Sequence, residues 1–204
     1  MKKIAVVGCN GRMGSLITNE LKNHYEVVGI GRENSLEDVK DVSLVVDFAT
    51  HESSVVSAEY CLKKGIPLVI GSTGQTEDEN KRLDEISKKI IIIKKANFSA
   101  GIEVLKSFIE NVLKLHPKKF EIVEKHHKYK KDKPSGTAKE LELFIRQRFF
   151  GDVEVSSIRE GEEMGEHKIV AYFCDEKITI KHNVYSREAF VRGVIETIKN
   201  LLNK

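Results

Sequence analysis

Residues 2–8, KKIAVVG, form a short apolar run that ends in glycine. A strand with one wet face alternates polar and apolar residues. This one does not, so it reads as a strand buried on both faces of a sheet. The next residues narrow the choice further. Gly8-Cys9-Asn10-Gly11-Arg12-Met13-Gly14 spaces its glycines as GxxGxxG, and Met13, Leu16, Ile17 and Leu21 then fall on one helical face. Glycines there permit a tight turn and a close backbone approach. The helix start offers unpaired N–H groups and positive potential to a pyrophosphate. The bland alternative is a turn that serves the fold and holds nothing.

The rhythm continues through the first half of the chain. Strands are expected at 26–30, 43–48, 67–70 and 90–93, and helices at 51–64 and 76–88. Thr76 with Glu79 three residues on has the form of a capping box. Strands alternating with helices of this length mean βαβ units and a parallel sheet. After Lys94 the order changes to a helix at 98–116, a strand at 120–127 and a helix at 136–149. Three strands then come almost in succession, at 153–159, 167–174 and 177–183, before a closing helix at 186–202. The expected class is α/β in the first half, followed by an α+β part with a mixed or antiparallel sheet.

Composition excludes several classes. A net charge of +3 over 204 residues does not suggest nucleic-acid binding, and the basic charge is local, between Lys114 and Lys133. Cys9, Cys61 and Cys174 form no CxxC pair, which argues against a disulfide framework or a zinc site, and no metal is expected. No apolar run approaches the roughly 18–20 residues of a membrane span. Met1 leads straight into a strand rather than a signal-peptide core. The expectation is a cytoplasmic protein without membrane or nucleic-acid partners.

Ligand chemistry gathers at strand ends. The second strand ends in Gly31-Arg32-Glu33, where an acidic residue for a ribose would ordinarily stand. Arg32 there can pair with a 2′-phosphate, and Glu33 can still reach a ribose, so both dinucleotides stay open, with a lean to the phosphorylated one. An ordinary solvated arginine is the other reading. Phe48-Ala49-Thr50 and Gly71-Ser72-Thr73-Gly74 come after the third and fourth strands, where an open parallel sheet holds its ligand.

The densest stretch is EIVEKHHKYKKDKPSGTA at 121–138. His126 and His127, four lysines and a Pro-Ser-Gly-Thr turn into a helix look like a place that receives an anion and handles protons. Lys128, Lys131 and Lys133 read as steering charges, and Asp132 as an orienting partner for a lysine or a turn cap. His167 and His182, on later strands, read as satisfied structural histidines.

In this order GCNGRMG, DFAT, GSTG, ANFSAG and EKHHKYKKDKPSGTA closely resemble dihydrodipicolinate reductases of the diaminopimelate and lysine pathway. The likeness runs on through Arg159-Glu160-Gly161, Gly165-Glu166-His167, His182 and Ser186-Arg187. Two departures are a shorter chain, with trimmed loops, and Gly31 at the usual acidic position. The resemblance implies a Rossmann-like domain over 1–97 and 187–204, and a substrate-binding and oligomerisation domain over 98–186. It implies reduction of a small dicarboxylate by NADPH or NADH, in a homotetramer. Carried over residue by residue, it makes His126 the proton donor and acceptor and Lys130 the second donor. His127, Ser135, Gly136 and Thr137 would hold the substrate's carboxylates. Gly8, Cys9, Asn10, Gly11, Arg12, Met13, Arg32, Phe48, Gly71, Ser72, Thr73, Ala96, Asn97 and Phe98 would line the cofactor. An aspartate-type dehydrogenase would share the glycine loop but not the HHxxK…PSGT run. A single-strand nucleic-acid module would need more aromatic residues than Phe120 and Tyr129 in the basic stretch.

Overall fold

A computed structural model describes residues 1–203. The chain divides into two compact units, Met1–Phe98 with the chain from Val191 on, and Ser99–Phe190.

In the first unit, β1 (Lys3–Val7), β2 (Glu26–Ile30), β3 (Val42–Asp47), β4 (Leu68–Ile70) and β5 (Ile92–Lys94) form one parallel sheet in the order β2-β1-β3-β4-β5. The apolar run that opens the chain is thus an interior strand, and Ile4, Ala5 and Val6 are fully buried. Its side chains divide between two cores. Ile4 and Val6 meet α1 (Arg12–Leu21) and α6 (Glu188–Leu202) through Ile17, Leu21, Val194 and Ile198. Ala5 faces the other way, toward α2 (His51–Lys64) and α3 (Glu77–Ser87) through Ala58, Cys61, Leu83 and Ile86. The Thr76–Glu79 capping box forms as expected: the Glu79 amide donates to Thr76 Oγ1 at 3.2 Å, and the Thr76 amide to Glu79 Oε2 at 2.7 Å.

The second unit holds α4 (Ala100–Leu113), β6 (Lys119–His126), α5 (Gly136–Arg146), β7 (Asp152–Arg159), β8 (Gly165–Tyr172) and β9 (Lys177–Val184). Its sheet runs β7-β6-β8-β9, with β6 parallel to β7 and antiparallel to β8, and β8 antiparallel to β9. One face is dry: Phe120 and Ile122 of β6 and Ile169 and Ala171 of β8 pack on Ile102, Leu105 and Ile109 of α4 and Leu141 and Ile145 of α5.

Several boundaries differ from expectation for local reasons. β5 starts at Ile92 because the amides of Lys89 and Ile90 close the end of α3 on the Ile86 carbonyl. α4 starts at Ala100, since Ser99 caps it and Phe98 belongs to the first unit's core. α5 ends at Arg146, and Phe149 packs edge-on against Phe120 at 5.1 Å. A 3-10 turn at Leu36–Asp38 had no signal in the periodicity. The division between units also falls at Phe98 and Phe190 rather than at 97 and 186, because Phe98 is anchored in the first core. Among the described residues no helix is long and apolar enough to cross a membrane.

Gly193 marks where α6 seats on the first unit. A Cβ there would lie 1.6 Å from the Phe98 carbonyl oxygen, so any side chain forces the helix away. Gly193→Ala should cost at least about 1–3 kcal/mol as overpacking, read as a fall of several degrees in Tm. An unchanged melt would show that α6 is free to shift.

Candidate functional site

The glycine loop is tight for reasons its sequence supplies. Gly8 has φ +80°, a left-handed conformation, and its carbonyl accepts the Gly11 amide at 2.8 Å. A Cβ on Gly14 would stand 2.1 Å from that carbonyl oxygen. Gly11 caps α1 without a side-chain hydrogen bond, so no side chain covers the amides of the first turn. They point to where an anion can bind. Arg12 is exposed, Met13 half-buried, and Cys9 and Asn10 complete the turn. At the end of β2, Asn34 receives the Gly31 amide at 2.7 Å and donates to the Gly29 carbonyl at 2.9 Å, holding the strand end in shape. Arg32 is exposed.

Asp47, the acid of the DFAT stretch at the end of β3, is fully buried and was given no role of its own in the sequence. It accepts from Ser57 Oγ at 2.6 Å, Ser53 Oγ at 2.8 Å and the Ala49 amide at 3.0 Å. Burial pushes its carboxyl up from the usual range while these bonds pull the other way. Its contacts fix the turn that carries Phe48. The Phe48 ring lies against Gly71, where a Cβ would come within 2.1 Å of it, and 5.7 Å from the Phe98 ring. Gln75 holds Ser72 by both its carbonyl, at 3.1 Å, and its hydroxyl, at 3.2 Å. Thr73 and Ala96 are exposed and Asn97 is buried.

The second unit places a polar cluster at one end of its dry face. Along β6 the inward positions read Phe120, Ile122, Glu124, His126. The hydrophobic alternation therefore carries a carboxylate and an imidazole into the interior. The sheet register sets Ser157, Glu124, His167 and His182 in one row across β7, β6, β8 and β9. Glu124 has no solvent exposure. Its Oε2 lies 2.5 Å from His126 Nδ1 and receives Arg159 Nη1 at 2.9 Å. Its Oε1 receives Arg159 Nη2 at 2.6 Å and the Ser135 amide at 3.2 Å. Burial opposes the charge on Glu124, but hydrogen bonds led by Arg159 outweigh it, and its pKa falls to about 2. Burial also lowers His126, against the pull of Glu124.

The expected residues divide accordingly. Lys130 Nζ pairs with Asp132 Oδ1 at 2.8 Å. Ser135 spends its amide on Glu124 and its hydroxyl on the Ala138 amide, at 3.2 Å, as the cap of α5. Gly136 and Thr137 open that helix. His127 stands apart from the cluster: its amide donates to the Glu163 carbonyl at 2.8 Å and its ring lies 6.2 Å from Tyr129. Lys128, Lys131 and Lys133 are exposed.

His167 and His182 are not satisfied structural histidines. His167 Nε2 lies 3.4 Å from Ser135 Oγ and His182 Nε2 lies 3.2 Å from Ser99 Oγ, yet Nδ1 of each is buried without a partner. The His167 ring is 5.4 Å from His126 and 6.4 Å from His182. Burial, with the neighbouring imidazoles, drives the pKa of His167 to about 3. Glu124 and Arg159 were missed as functional residues, although the spacing of Glu124 and His126, two apart on a strand, puts both on one face.

The comparisons agree across both units. Residues 2–98 match the family described as "Dihydrodipicolinate reductase, N-terminus", and residues 101–204 its "C-terminus" counterpart. A 4-hydroxy-tetrahydrodipicolinate reductase of Thermosipho africanus is 36% identical over 99% of this chain and 92% of its own length. One of Archaeoglobus fulgidus is 31% identical over 97% and 93%. Among solved structures, a dipicolinate-bound dihydrodipicolinate reductase from Paenisporosarcina sp. TG-14 matches with TM-score 0.78 and 20% identity over 100% of this chain and 95% of that one. An aspartate dehydrogenase from Thermotoga maritima matches with TM-score 0.65 and 17% identity over 98% and 97%, a likeness of fold.

The buried histidines set a pH dependence. A histidine whose folded pKa is depressed binds its proton more tightly in the unfolded chain, so stability is lost as pH falls below about 6.5. For His167 the loss continues to about pH 3, at up to about 1.4 kcal/mol per pH unit. Urea midpoints measured from pH 7 to pH 5 should fall, and His167→Phe should flatten that slope. An equal slope in the variant would mean that His167 is protonated in the fold.

Proposed function

The chain belongs to the dihydrodipicolinate reductase family, and we propose that His126 and Lys130 handle the protons of its reaction. That reaction is the NAD(P)H-dependent reduction of 4-hydroxy-tetrahydrodipicolinate to tetrahydrodipicolinate, a step of the diaminopimelate and lysine pathway. The observation that carries the reading is the placement of His126. It is 7% exposed, bound at Nδ1 to a buried carboxylate, and its Nε2 faces Gly165, where a Cβ would come within 3.0 Å.

Gly8, Gly11, Arg12 and Met13 hold the dinucleotide's pyrophosphate against the uncapped start of α1, and Cys9 and Asn10 line the turn. Phe48, Gly71, Ser72, Thr73, Ala96, Asn97 and Phe98 line the rest of that site. Bound there, the reduced dinucleotide supplies the hydride. The exposed guanidinium of Arg32 suits a 2′-phosphate, so NADPH is used at least as well as NADH. In the second unit, Gly136 and Thr137 at the start of α5 take a substrate carboxylate, with His127 as a further donor. Ser135 shapes that turn through its amide and caps α5 with its hydroxyl oxygen, and its hydroxyl hydrogen serves as a further donor to the carboxylate. His126 donates a proton from Nε2, and Lys130, steadied by Asp132, is the second donor. The protein works as a cytoplasmic homotetramer. Support for the assembly comes from β9, which ends the second sheet and offers its free edge; light scattering that gives a monomer's mass would remove it.

A coupled assay tests the reaction. With a synthase generating the substrate, the protein should oxidise NADPH or NADH, and no oxidation beside an active synthase would sink the reading. His126→Gln should lower kcat by about 10²–10⁴-fold, with KM for the substrate less affected. Arg32→Ala should raise KM for NADPH by about tenfold, the worth of one charge-assisted bond, and leave KM for NADH nearly unchanged. Equal effects on both cofactors would make Arg32 a bystander.

A further inference from the structure

His126 is held from behind by more chemistry than a strand needs. Each oxygen of Glu124 takes two contacts, and the four partners come from three elements: His126 on its own strand, both terminal nitrogens of Arg159 on β7, and the Ser135 amide at the cap of α5. Arg159 also donates to the carbonyls of Ile158 at 2.7 Å and Asp132 at 2.5 Å, tying β7 to the loop that carries Lys130.

We propose that Glu124 is the positioning residue of the proton-transfer step: it holds the Nδ1–H of His126, so that the reacting proton is exchanged at Nε2, and through Ser135 it sets the start of α5. The proposal rests on the reading of His126 as the proton donor. An ionised carboxylate has only acceptors, so the imidazole nitrogen bonded to it must carry hydrogen. Nε2 is then the site that gains and loses a proton. When the imidazolium gives up its proton, the Nε2–H bond breaks and a bond from hydrogen to the substrate forms. The neutral imidazole keeps its Nδ1–H toward Glu124 throughout. The same carboxylate takes the Ser135 amide, which orients the turn into Gly136 and Thr137. Proton donor and carboxylate cradle are thereby referred to one anchor.

A buried Glu–Arg pair could also be mere structure. The two roles differ in what they do to His126. The charged and titratable groups around it are Glu124 on β6, Arg159 on β7, His167 on β8, and Lys130 with Asp132 in the loop. Glu124 is the carboxylate in contact with the ring, and it favours the imidazolium. Arg159, Lys130 and the burial itself oppose it. Losing the charge on Glu124 must move the titration of His126 to lower pH.

The test uses the whole protein. Nitrogen-15 spectra of histidine-labelled wild type, assigned with His126→Gln, should show neutral His126 as the Nδ1–H tautomer. Glu124→Gln should lower kcat by about 10²-fold or more, change KM for substrate and cofactor by less than about threefold, and move the high-pH fall of kcat to lower pH by about one unit. A neutral Nε2–H tautomer in the wild type overturns the proposal, and needs no variant to fold. So does a folded Glu124→Gln protein with an unshifted pH profile, since the carboxylate would then not act on the group whose titration limits the reaction. A wild type that shows the Nδ1–H tautomer but reduces no substrate overturns the reductase reading and the catalytic role with it, while the contact stands.

Discussion

A carboxylate with no solvent exposure sits at the polar end of the second unit's core, and the site there depends on it. Burying an ionised group is costly unless it is paired and its lone pairs are filled. Glu124 meets both conditions, with a two-point contact from Arg159 and further bonds from the Ser135 amide and His126. Satisfying it draws three elements to one point, β6, β7 and the cap of α5, and Arg159 ties on the loop before α5 through the Asp132 carbonyl. Remove the carboxylate and each of them loses a reason to be where it is. Arg159, with a side chain only 5% exposed, would be left as an unpaired buried cation.

The two units build their helix starts differently. In the first, the backbone does the work. Gly8, Gly11 and Gly14 fold the chain closely, and Gly11 at the start of α1 supplies no side-chain cap. In the second, the helix start is capped by Ser135, and its chemistry comes from side chains held by side chains. The first arrangement tolerates little change in backbone shape. The second tolerates little change in charge. The proposed roles match that contrast: backbone amides for a pyrophosphate in the first unit, side-chain proton donors for a small ring in the second.

The cluster of buried and half-buried imidazoles has a cost in stability. Protonation of His126, His167 and His182 is disfavoured in the fold, burial being the largest cause for each. For His167 and His182 a buried nitrogen goes without a partner. Each nonetheless reaches the serine that caps a helix, Ser135 for α5 and Ser99 for α4. The sheet thus meets both helix starts through polar contacts where its dry core ends.

Much of this was legible in the residues. The buried opening strand, the glycine loop, the βαβ rhythm and the change of order after Lys94 all come from local periodicity, because burial on one or both faces dictates the spacing of apolar residues. The HHxxK…PSGT run stood out by composition, because two histidines, four lysines and a Pro-Ser-Gly-Thr turn do not make an apolar core. Glu124 was harder to see. Its neighbours Ile122 and His126 share its face of β6, but which face is buried depends on α4 and α5 lying over it. Arg159 and His167 are 35 and 43 positions beyond Glu124 in the chain, and only the pairing of β6 with β7 and β8 makes them its neighbours. Local sequence determined the elements and named the chemistry. Tertiary structure decided which acid meets which base, because sheet register, unlike periodicity, joins residues that the chain keeps far apart.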